Sequence, residues 1–568
     1  MKTRLIQWMM AAILICGAMV FNACTNNNDN PVDVETGASY IAMIVKNGEI
    51  DYWRQVEKSF RSACQENDLE AYYYATSAEN AYEDQLAAVM NLRNLDNKKL
   101  KGIIFTPSYG LNGESAEAEV AALASERGIP VIILDLPVSA SSPLASCPYF
   151  GTDNTAAGQL MAEKVTADKV AVFAMTNSPG VERTEAFKAL KPNADIFLVG
   201  DKANDEVQAV LDDYYDFVFF NGNDLVDALD MLKAAGKRIY TFDAYGEFLD
   251  ELIASSAYLN GIMAQNTFGM ARKAVEAVIA NANQGEMVPT FYITEDNLND
   301  PNVQPFLEFY GKQAPSPIDN LAEKIQGRWI ESEIDGLPAQ TSDKSVTTFV
   351  SDTKAYYSAS KSDFTETQLK WSSHREYDVK ITGNKVTLTG HPEGMTDLTL
   401  LEEFIITSVT DTEIVGKFRH TSIRNGLPEG TAFEKNVRWT KLYTDYSQDV
   451  IGTWEGLMFE TKNARWELKA DGTYVYSRKV GDGDWETVND VYNEYFVDGN
   501  LFCVRWKNAG EGKEEMRDWW ELESLQDGVM KWTALRRNAD GSTYTEILEM
   551  KSVGIKDVVT TRSLDYTY

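Results

Sequence analysis

Residues 238–270 read RIYTFDAYGEFLDELIASSAYLNGIMAQNTFGM. The stretch opens on a short apolar strand, Ile239-Tyr240-Thr241-Phe242, which ends on an acid, Asp243. Phe248, Leu249 and Leu252 then recur at helical spacing, and a second strand, Gly261-Ile262-Met263-Ala264, ends on an amide, Gln265. In open α/β sheets, ligands bind outside the carboxyl ends of the strands. Asp243 and Gln265 are therefore both expected at the rim of one cleft.

Upstream, the same rhythm occurs twice. Strands at 40–45, 70–74, 102–107 and 131–135 alternate with helices from Tyr52, over 82–95 and over 116–127. The cycle restarts with the strand at 169–174, a helix from Glu182, and strands at 195–199 and 217–221. A helix at 224–235 closes on Gly236, the residue best suited to a helix C-terminus, and leads into the quoted stretch. Regular βα units predict parallel, doubly wound sheets, and two such series predict a two-lobed α/β clamshell over 39–315.

The motifs of this region resemble the ribose-type (type 1) periplasmic sugar-binding proteins. Phe150-Gly151-Thr152-Asp153-Asn154-Thr155-Ala156-Ala157-Gly158 is similar to the segment leading into that family's second lobe, and Glu182-Arg183-Thr184-Glu185-Ala186-Phe187 to its first long helix. The resemblance implies a ligand gripped by hinge closure, with chain crossings near Gly151, Gln265 and Thr290. It also implies that Tyr52 and Trp53 sandwich the apolar face of a sugar ring, while Asp135, Asn221, Asp243 and Gln265 bond its edge. A pyranose suits such a site, with C–H groups on its faces and hydroxyls around its rim. Departures from the family pattern bear on the ligand. Leu136 and Val181 stand where the family carries cleft arginines, Ile50 where it carries an asparagine, and Asn204 near its second-lobe aromatic. A cleft with two aspartates and neither arginine points away from ribose, toward another sugar, an amino sugar or a cation-bearing ligand. Asp135 and Asp243 could also be read as an acid/base pair for glycoside hydrolysis, but both end sheet strands at ligand-contact positions. Binding without catalysis is the expectation, with no cofactor.

The chain has 568 residues and a formal charge of −33, which disfavours nucleic acid as a partner. Lys2 and Arg4 precede an apolar run to Phe21, the layout of a secretory signal. Phe21-Asn22-Ala23-Cys24 resembles a bacterial lipobox, which implies residues 1–24 as signal, lipid on Cys24 and a polar tether over 25–38. The expected place is the cell envelope, at the outer membrane's periplasmic or surface face, with a membrane receptor or transporter as a further partner; a plain cleaved signal is the alternative. Cys64, Cys147 and Cys503 remain, read as free thiols, with a Cys64–Cys147 bridge left open.

Beyond Pro315 the pattern changes to short alternating strands in two similar blocks, opened by Gly327-Arg328-Trp329 and Gly452-Thr453-Trp454. They resemble lipocalin-like small barrels and are expected over 322–444 and 448–555. That resemblance implies a Trp plugging each barrel and an Arg from the last strand packed on it, with Arg438 as the candidate in the first. In the second block the neighbours Trp519 and Trp520 must face opposite sides of a strand. One of them is a candidate glycan or partner contact. This leaves a second reading, in which the barrels or the lobe surface capture glycans or feed a sensor. The three histidines, His374, His391 and His420, are too scattered to predict a metal site.

Overall fold

The computed structural model describes residues 38–553, apart from 79, 96–98, 110–114, 200–202, 360–374, 393–394, 431, 459–461, 481 and 511. Cys24 and His374 lie outside the described residues. The chain forms two compact units, divided between Ala314 and Pro315.

The first unit begins β1 (Tyr40–Val45), α1 (Asp51–Glu66), β2 (Glu70–Ala75), α2 (Tyr82–Asn94), β3 (Leu100–Phe105), α3 (Glu117–Arg127), β4 (Val131–Leu134) and β5 (Tyr149–Thr152). A second series follows: α4 (Asn154–Lys164), β6 (Ala171–Ala174), α5 (Ser178–Leu190), β7 (Asp195–Leu198), α6 (Ala203–Val210), β8 (Asp216–Phe219), α7 (Gly222–Ala234), β9 (Arg238–Phe242), α8 (Gly246–Ile253) and β10 (Leu259–Ala264). The unit closes with α9 (Thr267–Ala280), β11 (Glu286–Val288), β12 (Phe291–Ile293) and α10 (Gln304–Phe309).

Two six-stranded sheets result, ordered β11-β5-β4-β3-β1-β2 and β12-β10-β9-β8-β6-β7. The orders match position for position, so each lobe repeats the other. β1 is buried along its whole length, as a parallel strand covered on both faces must be. The chain crosses between lobes three times. β5 belongs to the first sheet, while α4 after it packs Ala157 and Met161 into the second lobe's core. α9 returns to the first lobe with Met270, Ala271 and Ala274, and the last crossing joins β11 to β12. These are the places the sequence indicated.

The second unit is all-β. Gly327–Ile334, Ser345–Phe349, Lys354–Ala359, Arg375–Thr382, Lys385–Gly390, Leu398–Val409, Glu413–Arg424 and Phe433–Leu442 pair antiparallel in succession. The last pairs back onto the first, closing an eight-stranded barrel. The second block, from Gly452–Met458 to Thr543–Ser552, is one nine-stranded antiparallel sheet that stays open. Among the described residues, the edges at Tyr474–Val480 and Asp490–Asp498 are joined only by an isolated bridge from Thr473, just before the first strand, to Glu494. The closing edge of Tyr474–Val480 is already occupied at Ser477 and Arg478 by the short strand Glu486–Thr487. The expectation of two full barrels is thus met by one barrel and one half-barrel.

The internal repeat persists in detail. Trp329 Nε1 donates to the Ile325 carbonyl and Trp454 Nε1 to the Val450 carbonyl, both at 2.7 Å. The cation over Trp329 is Lys441, 5.0 Å from the ring centroid, and not Arg438. Arg438 instead pairs with Glu333 and Glu413, because it alternates with the core residues Val437 and Trp439 and so faces outward, while Lys441 stands opposite Trp329. Trp520 lies in the half-barrel core, and Trp519 faces outward as alternation requires. Trp519 packs on the cluster of Ile330, Val346, Phe496, Leu501 and Cys503 that joins the two β modules. The outward Trp is therefore spent on an internal interface. Cys64, Cys147 and Cys503 are all free thiols, so Cys64 and Cys147 form no bridge.

Candidate functional site

The carboxyl ends of the two matching sheets carry the polar residues. Asp135 follows β4 and Asp243 follows β9, the equivalent strand of the other lobe. Both adopt left-handed backbone, with φ of 66° and 64°. Aspartate tolerates that region better than most residues, and paired outliers of this kind concentrate at functional positions.

Each aspartate is held by neighbours. The Tyr52 hydroxyl, in the first turn of α1, donates to Asp135 Oδ1 at 2.6 Å. The Tyr149 hydroxyl donates to the Asp135 carbonyl at 2.6 Å. Asp243 accepts from Gln265 Nε2 at 2.7 Å and from the Gly222 amide at 3.2 Å. Gln265 Oε1 in turn accepts from Thr152 Oγ1 at 2.8 Å. Thr152 ends β5 and Gln265 follows β10, so this buried chain of bonds spans two of the lobe crossings. Asn221, half-buried, caps α7 by accepting from the Asn223 amide at 3.1 Å.

The structure brings Tyr52, Asp135, Asp243 and Gln265 together, but it places Trp53 differently. Trp53 is 1 % exposed and belongs to the apolar core with Val56 and Phe60. Its ring meets Tyr52 edge-on, at 5.0 Å between centroids and 81° between planes. Two rings in mutual contact leave no slot for a sugar between them, so the expected aromatic sandwich is not formed. The reason is helical geometry, since consecutive residues point about 100° apart.

A residue that the family pattern did not flag is central. Val181 is exposed, as expected for a lost ligand position, but Arg183 on the same helix is 3 % exposed. Its Nε donates to Asn154 Oδ1 and its Nη1 to the Phe220 carbonyl, both at 2.9 Å, and its guanidinium lies 4.4 Å from the Phe242 ring centroid. Burial lowers the Arg183 pKa from its ordinary value, against the opposing pull of Asp243, Tyr52 and Asp135. Burial likewise pushes the Tyr52 hydroxyl well up, helped by the charges of Asp135 and Asp243 and opposed by Arg183. Groups from both lobes therefore share one electrostatic field. A cleft emptied of arginine is corrected to one with a buried arginine. Periodicity carried the signal: the buried positions of α5 are Gly180, Arg183, Ala186 and Phe187, an inward stripe with the arginine on it. Lys46 is buried at the end of β1, and Arg54 is exposed beside Asp51 at 3.3 Å.

Helix α1 also reaches the other lobe. Gln55 Nε2 donates to the Ala244 carbonyl at 3.0 Å and to the Tyr310 hydroxyl at 3.2 Å, and Tyr310 donates to Asp51 at 3.0 Å. Asp224, on α7, is pushed up to about 6 by burial, then by Asp243, Asp227 and Glu206. A raised folded-state value means stability that is full below the ordinary carboxylate range and lost as pH rises through about 6. Asp224→Asn should therefore raise the melting temperature at pH near 7.5 and leave it unchanged near pH 4. Calorimetry at both values tests this, and an equal effect at both would place Asp224 outside the shared field.

Among the described residues, no group of three or more His, Cys, Asp or Glu is arranged to hold a metal ion. No described helix is long and apolar enough to cross a membrane. No curated protein is similar enough to count as a match. Among solved structures, a sugar ABC transporter sugar-binding protein from Bacillus halodurans is 19 % identical, covering 46 % of this chain and 99 % of its own, with a TM-score of 0.39. An ABC transporter solute binding protein from Agrobacterium vitis with bound D-fucose is 22 % identical, covering 47 % and 99 %, with a TM-score of 0.40. A solute binding protein from Bacillus halodurans C-125 with bound myo-inositol is 16 % identical, covering 47 % and 98 %, with a TM-score of 0.39. Over residues 41–287 the chain matches the family model described as a periplasmic binding protein domain.

Proposed function

We propose that the first unit captures a small, uncharged, sugar-like ligand between its lobes, in a protein held at the cell envelope by lipid on Cys24. The observation that carries this reading is the matched pair of strand-end aspartates, Asp135 held by Tyr52 at 2.6 Å in one lobe and Asp243 held by Gln265 at 2.7 Å in the other. A ligand hydroxyl can donate to either carboxylate, and such charge-assisted bonds are the stronger kind. Contacts from both lobes would favour the closed form over the open one. The preference for a cationic ligand rested on missing arginines. With Arg183 offsetting part of the acidic charge, a neutral sugar suits the site better than an amino sugar. Pairs of strand-end carboxylates serve binding here, not catalysis.

The test is thermal denaturation of the purified protein with neutral pentoses, hexoses and inositols, and in parallel with amino sugars. At a concentration about 100 times Kd, a ligand adds roughly 2.7 kcal/mol, a rise of about 5 °C for a unit of this size. A rise with a neutral sugar supports the reading. A response to amino sugars alone, or to none of the panel, refutes it.

A further inference from the structure

Helix α1 carries two stripes, and only one of them belongs to the core of its own lobe. Trp53, Val56, Phe60 and Cys64 pack into the first lobe. Asp51, Gln55 and Ser59 recur at i, i+4 spacing, which a helix places on one face. A solvent-facing stripe would leave such side chains exposed. Gln55 is instead 2 % exposed and Ser59 5 %. What covers them comes from beyond the first lobe. Ser59 Oγ donates to the Phe268 carbonyl at 2.7 Å, and Gln55 Oε1 accepts from Thr267 Oγ1 at 2.9 Å, both at the start of α9. Gln55 Nε2 reaches further, to the Ala244 carbonyl, one residue past Asp243.

Tyr310 completes this contact. It follows α10, in a strap that closes the first unit. Phe306 and Leu307 seat the strap in the second-lobe core, and Phe306 meets Phe268 edge-on at 5.1 Å. Gly246, opening α8, lets the Tyr310 ring lie close, since a Cβ there would stand 3.1 Å from Tyr310 Cδ1. The ring is thus fixed on the second lobe while its hydroxyl reaches α1. It donates to Asp51 Oδ2 at 3.0 Å and accepts from Gln55 Nε2 at 3.2 Å. The Tyr245 hydroxyl feels latch and site together: burial pushes it up, Asp243, Tyr310 and Asp51 push the same way, and Asn223 opposes them. In the cleft, Tyr52, Asp243 and Gln265 are all buried, so the lobes are closed over these groups.

We propose that Tyr310 is a positioning residue for the cleft, gripping Asp51 and Gln55 from the second lobe and so holding the lobes closed, with Tyr52 and Asp135 brought to Asp243. Bonds between protein groups alone favour the closed form before a ligand adds its own contacts. The effect of this latch on ligand affinity rests on the reading of the cleft as a sugar site; the latch itself does not.

The test is amide hydrogen exchange of the full chain without added sugar. Tyr310→Phe keeps the ring and removes the hydroxyl. Exchange over residues 135–138 and 221–226, at the two rims, should speed up about tenfold, the size expected for a hydrogen bond to a charged group. The core strands β1 and β8 should keep wild-type rates, since opening of the cleft leaves each lobe folded. Asp51→Asn retains an acceptor for the hydroxyl and should speed rim exchange less. An equal rise at rims and core strands would mean that Tyr310 only stabilises the fold. Unchanged rims would mean that the lobes close without it. Either result overturns the proposal. Calorimetric titration with D-glucose, D-xylose and myo-inositol is read separately. A sugar that binds the wild type should bind Tyr310→Phe more weakly, by no more than the same factor. If none binds the wild type, the cleft reading fails, and the exchange result still decides the latch.

Discussion

Asp243→Ala is expected to abolish ligand-dependent stabilisation of the first unit and to lower its unfolding free energy by about 3 kcal/mol. Three losses combine. Gln265 Nε2 and the Gly222 amide lose their acceptor in a buried setting. Arg183, itself buried, loses a negative charge that offsets its own. The backbone at this position has φ of 64°, which alanine tolerates less well than aspartate. Asp243→Asn separates these terms. It retains an acceptor oxygen and the side chain's tolerance of left-handed backbone, so much of the stability should return. Affinity should not, because the charge-assisted bonds to the ligand need the carboxylate. Urea unfolding and calorimetric binding on both variants decide the matter. Wild-type affinity in Asp243→Asn would remove this carboxylate from the site.

Lys435→Met should cost the second unit about 3–5 kcal/mol, since it leaves Glu331 buried with its countercharge gone. The wild-type pair is 2.7 Å apart, with Glu331 fully buried. Burial pushes the Glu331 carboxyl above its ordinary value of 4.5, and Lys435 and Ser345 pull it back. A carboxyl whose folded value is raised contributes its full stability below the unfolded value and loses it as pH rises. Removing Lys435 raises that folded value further, so the loss should be large near pH 7.5 and shrink toward pH 4 as Glu331 takes a proton. Glu331→Gln combined with Lys435→Met should recover most of the stability at neutral pH. Urea unfolding at both pH values measures it. A pH-independent loss would mean that Lys435 acts through the packing of its stem, 5.1 Å from Phe418 at the ammonium, and not through charge.

The two matching lobes were legible in residues 131–135 and 239–243, where an apolar run ends on Asp in each. So was the Gly-x-Trp repeat, because it is written in local spacing, whereas the three crossings followed from the family resemblance. Arg183 was overlooked for a specific reason. The family motif marks position 181, whereas the inward stripe of the helix runs through Gly180, Arg183 and Phe187. Trp53 erred the other way, since its match to an aromatic pair took no account of the helical turn separating it from Tyr52.

Sequence periodicity and chain order were enough for the βα alternation, the lobe repeat and the change to β-structure after Pro315, because these depend on residues close together in the chain. The cation over Trp329, the packing of Trp519 between β modules, the occupied strand edge that keeps the half-barrel open and the bond joining Tyr52 to Asp135 were decided only by the tertiary structure. Each depends on register and packing between segments far apart in sequence, where the residue standing opposite on a partner strand, or one occupied strand edge, decides a contact without altering the local pattern.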